Sequence, residues 1–487
     1  MQLPWGEGIA TPWIGNRFAA DDGEVVEKRE PATGELITRL RLASVADVES
    51  AVAAAADAQR DWAALAIRER AERVERLAER LLERSGEIGR LDARATGSPL
   101  TAMQAGARKG ALYLKQVANV ALELQGRTVP ASATGWHVVK PEPWGVVAAI
   151  TAYNHPTLYN CLKAGPALVT GNAVIVKPSE QAPLSTLVLA ALSEDLLPPG
   201  VLAVLPGEAQ ASAALVAHRD VARISFTGSV AVAVRIEAEI AAAGRIKSKT
   251  FELGGKNPIL VFEDADLDEA AAAVVRGMNY TRVQGQSCGS TSRLLAPASL
   301  VEPLTERIVE RVRKIRVGLP EAEGTEMGSL ISHAHRDRVL GFIERAVTEG
   351  ATVLTGGGPP ADPTLADGAF LEPTVLGGVE PHMEVAREEV YGPVLSILAF
   401  ETEEEAIALA NDTEYGLTAS IWTRDLDRAL RTADALHAGY IWVNDVETRH
   451  PGVPFGGWGQ SGIGTEQGLL ADLAQCTRSK SINVAVR

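Results

Sequence analysis

Short apolar runs alternate with helical stretches through the middle of this chain. They fall at residues 145–150 (Gly-Val-Val-Ala-Ala-Ile), 173–176 (Ala-Val-Ile-Val), 201–205 (Val-Leu-Ala-Val-Leu), 223–226 (Arg-Ile-Ser-Phe) and 258–262 (Pro-Ile-Leu-Val-Phe). Runs this short read as strands, and a strand apolar on both sides must be covered on both faces. Strands of this kind in alternation with helices predict a parallel α/β sheet. A second α/β series is expected from about residue 268 to residue 442.

The flanking segments read differently. Residues 1–40 suggest short strands and turns. From Ser44 to about Gly97 the period becomes helical: Val74, Leu77, Leu81, Leu82, Ile88 and Leu91 recur at intervals of three and four, with Arg and Glu on the other face. Gly126-Arg127-Thr128-Val129-Pro130 and Trp136-His137-Val138-Val139-Lys140 read as a strand pair leading into the run at 145.

With 487 residues the chain exceeds one compact core, so two or more domains are expected. The formal net charge is −15, which argues against nucleic-acid or anionic-membrane partners because phosphate recognition needs a basic face. The three cysteines, Cys161, Cys288 and Cys476, are widely spaced and form no CxxC pair or Cys/His cluster. No metal site is expected, and reduced thiols in a cytoplasmic protein are the reading. Met1 to Ala10 lacks the basic start and apolar centre of a signal peptide, and no apolar run is long enough for a membrane span.

Five segments carry candidate chemistry. They are Ile150-Thr151-Ala152-Tyr153-Asn154-His155-Pro156, Lys177-Pro178-Ser179-Glu180, Phe226-Thr227-Gly228-Ser229, Glu252-Leu253-Gly254-Gly255-Lys256 and Gln284-Gly285-Gln286-Ser287-Cys288. A thiol such as that of Cys288 can attack an aldehyde, and the adduct is primed to lose hydride. Gly228 follows a strand and lets the backbone approach a phosphate, while Ser229 can cap the following helix. Taken singly, each segment has a plain structural reading: a core cysteine, a turn before proline, an exposed Lys/Glu pair, an ordinary strand-to-helix turn.

In order and spacing the five resemble the NAD(P)-dependent aldehyde dehydrogenase superfamily, from about Trp13 to near the C-terminus. The resemblance implies a Rossmann-type NAD-binding domain (residues 1–122 and 144–254), an α/β catalytic domain (255–471) and a small β oligomerisation extension (123–143 and 472–487). In that extension Ile482, Val484 and Val486 alternate and are suited to pairing with another subunit, in a homodimer or homotetramer. The resemblance also makes the thiolate of Cys288 the nucleophile. It assigns the oxyanion hole to the Asn154 amide and the Cys288 N–H, and the general base that hydrolyses the thioester to Glu252. Lys163 and Glu466 match a proton relay, with a structural ion pair the equal alternative.

For the cofactor, the resemblance places Lys177 and Glu180 at the adenosine ribose, where a carboxylate favours NAD and leaves NADP open. Ile150, Thr151, Ser179, Phe226, Gly228, Ser229, Leu253 and Gly254 belong to the same site. Glu389 matches the ligand of the nicotinamide ribose, and Tyr391 stands where a phenylalanine usually packs. Ala233, Gly459 and Thr465 depart from the family pattern. Gly462-Ile463-Gly464 mimics a dinucleotide fingerprint, but no buried strand leads into it.

The substrate is a small-molecule aldehyde whose type stays open. Arg282 stands where semialdehyde enzymes grip a distant carboxylate, and Arg449 and His450 add positive charge near the mouth. A second arginine of that type would fall at Leu162, and Asp445 and Glu447 oppose the charge. Equally, Arg282 reads as an arginine paired within the fold, and Tyr159 and Trp458 suit an aromatic or apolar aldehyde; Ser287, beside the thiol, is a further substrate residue. Glu252 favours release of a free acid over transfer to CoA. A CoA-acylating enzyme, a silent protein on the same fold and a Cys288 esterase are the rival readings.

Overall fold

The computed structural model describes residues 3–485. An eight-stranded sheet organises its first half. Five strands in it are parallel: Leu202–Val204, Ala173–Lys177, Val146–Ile150, Val221–Thr227 and Ser248–Glu252, in that spatial order. From Val146–Ile150 the chain steps outward to Ala173–Lys177 and Leu202–Val204. It then returns to the other side for Val221–Thr227 and Ser248–Glu252. This reversal is a topological switch point, where open α/β sheets place ligands beyond the strand ends.

Side chains from successive residues enter opposite layers. Val147, Val174 and Val176 pack with Trp62 and Leu114 on one face, while Ala148, Ile175 and Ile224 pack with Val48 and Val52 on the other. The helices Val45–Ala64 and Leu100–Asn119 supply those covers. Ser44 starts the first of them, exchanging hydrogen bonds with Asp47 in a capping box.

One strand of this sheet, Ser248–Glu252, was not among the apolar runs. Its sequence Ser-Lys-Thr-Phe-Glu is mostly polar because its neighbours supply partners. Arg223 donates to Ser248 Oγ at 2.7 Å and to Thr250 Oγ1, and Lys249 pairs with Glu237. The run at 258–262 forms Pro258–Val261 and belongs to a second, seven-stranded sheet. There it lies between Arg293–Pro297 and Thr418–Trp422, parallel to both.

A third sheet of three antiparallel strands joins Arg127–Ser132, Gly135–Pro143 and Thr477–Ala485. Val129, Trp136, Ile482 and Val484 are exposed on it. Val486 lies outside the described residues. Among the described residues no helix is long and apolar enough to cross a membrane.

Candidate active site at the strand ends

Register gathers the sequence-predicted residues at one edge. Ile150 is opposite both Lys177 and Phe226, Phe226 is opposite Phe251, and Thr227 is opposite Glu252. Parallel pairing thus brings four strands to a common carboxyl end. Gly462 and Ile463 pair antiparallel with Glu252 and Phe251 and close the sheet there, so this glycine segment is an edge strand.

Cys288 faces this edge from a tight loop. The loop follows the one-turn helix Tyr280–Val283, which left-handed residues bracket: Asn279 at φ 56°, and Gln284 and Gly285 at 55° and 69°. A Cβ on Gly285 would lie 2.2 Å from the Gly392 carbonyl oxygen, so only glycine fits. Asn257 Nδ2 donates to the Cys288 carbonyl at 2.7 Å and to Ser290 at 2.8 Å, fixing the loop. The thiol is half-buried. Burial pushes it up to about 12; Glu389 and Glu252 add to that effect, while Arg449 and the Tyr159 hydroxyl oppose it.

Glu252, the last residue of its strand, is buried, and among the described residues neither of its carboxylate oxygens has a hydrogen-bond partner. Burial and the adjacent Glu466 hold it well above the usual carboxylate range, against Lys163 and Arg449. Asn154 Nδ2 donates to the Gln286 carbonyl at 2.8 Å, which ties it to the cysteine loop and leaves one amide hydrogen free. Lys163 forms a buried ion pair with Glu466, and Ser225 Oγ joins both, at 3.0 and 3.1 Å.

The remaining predicted residues line the same edge. Lys177 Nζ lies 3.4 Å from Glu180, whose carboxylate is exposed. Thr151 N–H donates to the Lys177 carbonyl and Thr151 Oγ1 to Asn160. Ser179 Oγ accepts from Gln181 N–H. Ser229 caps the Val230–Ala242 helix, and Ala233 is buried in that helix. A Cβ on Gly228 would strike the Phe226 ring at 2.4 Å. One on Gly254 would lie 2.3 Å from Glu389 Oε2, and Glu389 Oε1 accepts from Gly255 N–H at 3.0 Å. Leu253 N–H is held by the Ser461 carbonyl at 2.9 Å. Burial pushes Glu389 up to about 7 against the pull of Gly255 N–H and Lys256. Tyr391 adopts φ 56°, unusual for a bulky residue, and packs edge-on against Tyr153 and His335. This edge meets the demands of a dinucleotide: a capped helix N-terminus, glycines that admit close approach, and carboxylates at Glu180 and Glu389 for ribose hydroxyls.

A cavity of about 710 Å³ opens onto Cys288, Glu252 and Glu466. Tyr159, Ser287 and Arg282 line it, as do His155, Leu162 and Thr227. Ser287 Oγ accepts from Gly289 N–H at 3.3 Å. Burial lowers His155 to about 3, so it is neutral there. Arg282 is spent on Glu447 at 3.2 Å. Two expectations for the mouth need correction. Trp458 lies outside the cavity, since it pairs with Gly416 in a short antiparallel ladder and is 57% exposed. His450 is exposed and also outside, so Arg449 alone of that pair contributes charge. Lys109 lines the cavity and was not anticipated. It precedes Cys288 by most of two hundred residues on an amphipathic helix, where its sequence context marks only a solvated lysine.

Fold and site define an α/β protein of the dinucleotide-binding kind, with a thiol set against its strand ends. The model of the aldehyde dehydrogenase family matches residues 18–482, and the chain belongs to that family. Among solved structures it is similar to PnpE from Pseudomonas sp. WBC-3, with 39% identity and a TM-score of 0.94, covering 99% of this chain and 98% of that one. PnpE has also been solved with nicotinamide adenine dinucleotide. An aldehyde dehydrogenase from Bacillus cereus, solved as its NAD+ complex, is 34% identical at a TM-score of 0.94, with 98% and 97% covered. Betaine aldehyde dehydrogenase from Staphylococcus aureus, also with NAD+, is 32% identical at a TM-score of 0.93, with 97% and 94% covered.

Proposed function

We propose that the protein oxidises an aldehyde to its carboxylic acid with NAD, through a covalent adduct on Cys288 that water hydrolyses. The observation that carries this reading is one cavity shared by the Cys288 thiol and the hydrogen-bond-free carboxyl of Glu252. Cys288 Sγ, as thiolate, adds to the carbonyl carbon. The oxygen takes up the negative charge and is met by the free amide hydrogen of Asn154 and the Cys288 N–H. A bound nicotinamide supplies the acceptor for the hydride that leaves this adduct as a thioester forms. Glu252 then takes a proton from water as its oxygen bonds to the thioester carbon, the C–S bond breaks and the thiolate returns. Lys163, Ser225 and Glu466 make a hydrogen-bonded chain beside Glu252 and serve as its proton outlet.

In this reading Lys177 and Glu180 hold the adenosine ribose, Ser229 and Gly228 face the pyrophosphate, and Glu389 takes the nicotinamide ribose. Residues 1–122 with 144–254 carry the cofactor, and 255–471 carry the thiol. The extension of residues 123–143 and 472–487, through the exposed sheet of Arg127–Ser132, Gly135–Pro143 and Thr477–Ala485, joins copies of the chain. The test is NADH formation with NAD, no CoA and a panel of aliphatic, aromatic and carboxylated aldehydes, with Cys288→Ala as control. Turnover that the control loses supports the reading. NADH formed only when CoA is added sinks the hydrolytic step, and activity that survives Cys288→Ala sinks the covalent one.

A further inference from the structure

Arg449 stands in the cavity and, among the described residues, makes no close ion pair. Its Nη1 is buried and has no hydrogen-bond partner. The guanidinium is seated on aromatic rings, 3.6 Å from the centroid of Phe455, 4.9 Å from Tyr440 and 5.0 Å from Trp442. Trp442 Nε1 donates to the Thr448 carbonyl at 2.8 Å and anchors the segment that carries it. Nη2 faces the residue after the nucleophile, since a Cβ on Gly289 would lie 2.9 Å from it. Stacked in this way, the planar fork is oriented before any ligand arrives.

The other charges of the cavity cancel in pairs. Arg282 is matched by Glu447, and Lys163 by Glu466. Burial and Glu466 raise Glu252 well above the usual carboxylate range, and among the described residues its oxygens bond neither Arg449 nor any other group. Arg449 and Lys109 are left over, both lining the cavity. An arginine does not shed its proton, and a desolvated charge without a partner is costly. The arrangement therefore wants an anion that enters with the substrate.

We propose that Arg449, assisted by Lys109, grips a carboxylate of the substrate, so that the aldehydes this protein prefers are semialdehydes. Arg282 is not that residue, being committed to Glu447. The proposal rests on the reading that Cys288 oxidises aldehydes. A carboxylate seated on Arg449 and an aldehyde carbon at Cys288 are brought together by the neighbouring position of Gly289. The spacer between the two groups of the substrate is therefore short.

The experiment compares 4-oxobutanoate and 5-oxopentanoate with their uncharged methyl esters, measuring NADH at saturating NAD. The wild type should favour the better acid over its ester by about 10- to 100-fold in kcat/KM, the scale of a hydrogen bond to a charged group. Arg449→Leu should bring that ratio to about 1, and Arg449→Lys should restore part of it. Lys109 is exposed, so Lys109→Gln is safe for folding; it should reduce the ratio severalfold and weaken its dependence on salt. A wild-type ratio near 1 overturns the proposal. So does Arg449→Leu lowering acid and ester equally, which would place Arg449 at the thiol instead. A second readout is protection of Cys288 from iodoacetamide by glutarate. Protection that Arg449→Leu removes, in a protein that oxidises none of the four compounds, would sink the oxidation reading and keep the carboxylate site. Absence of both protection and preference sinks the site.

Discussion

Arg282 and Glu447 meet at 3.2 Å across 165 residues of sequence, and their pairing neutralises the one arginine that position in the chain had marked for substrate. The pair lies at the wall of the cavity, with Glu447 nearly buried and Arg282 half-exposed. A charge that is already paired contributes little to a ligand.

Glu447→Gln should release Arg282 toward the cavity and raise its positive charge by one. With a carboxylated aldehyde, KM should fall by about 3- to 10-fold, the size of a partly screened charge contact. With the uncharged ester of that aldehyde, KM should change much less. Steady-state kinetics at two salt concentrations check this, and equal shifts for acid and ester would refute it.

Glu252→Gln should separate hydride release from hydrolysis. Its expected trace is a burst approaching one NADH per subunit, followed by turnover slowed about 10²- to 10⁴-fold, the range for loss of a general base. Rapid-mixing absorbance at 340 nm reads both phases. A variant that shows no burst would mean Glu252 acts before the thioester forms.

Activity should climb with pH. The Cys288 thiol is held up to about 12, so its thiolate fraction grows about tenfold per pH unit through the neutral range. Glu252 is also raised, so its base form grows in the same direction. Between pH 6 and 9 kcat/KM should rise without an alkaline fall. Arg449→Leu removes a cation that favours the thiolate, so its iodoacetamide reaction should shift to higher pH. A profile already flat at pH 6 would contradict this environment for Cys288.

Glu180→Gln should relax the cofactor preference. The carboxylate near Lys177 would repel a 2′-phosphate, so its removal should raise kcat/KM for NADP relative to NAD by about tenfold. Kinetics with the two cofactors test it, and an unchanged ratio would place Glu180 away from the ribose.

The exposed sheet should govern assembly. Ile482 and Val484 are 39% and 46% exposed on its outer strand. Light scattering of the wild type should give a dimer or tetramer, and Ile482→Lys with Val484→Lys should yield smaller species. A monomeric wild type at working concentration would refute this use of the sheet.

Much of the architecture was legible because it depends on local signals. The apolar runs at 145–150 and 173–176 became adjacent parallel strands because only burial on both faces suits such residues. The capped turn at Ser229 was readable for the same reason, since the cap lies within one turn of what it caps. Ser248–Glu252 was not readable: its polar residues are satisfied by Arg223 and Glu237, which are neighbours only after folding.

The chain's own order of residues settled which chemistry was on offer: a thiol, a glutamate at a strand end, an asparagine before a proline, and the glycines that admit a phosphate backbone. Those are matters of residue type and short spacing. Folding settled which charges are free. Arg282 and Arg449 look alike as letters, yet one meets Glu447 while the other is seated on three aromatic rings without a partner. Lys109 joins Arg449 from a helix far upstream, and Trp458 turns away into a surface ladder. Charge pairing acts over a few ångströms in space, and no local pattern reports which distant side chain will occupy that distance.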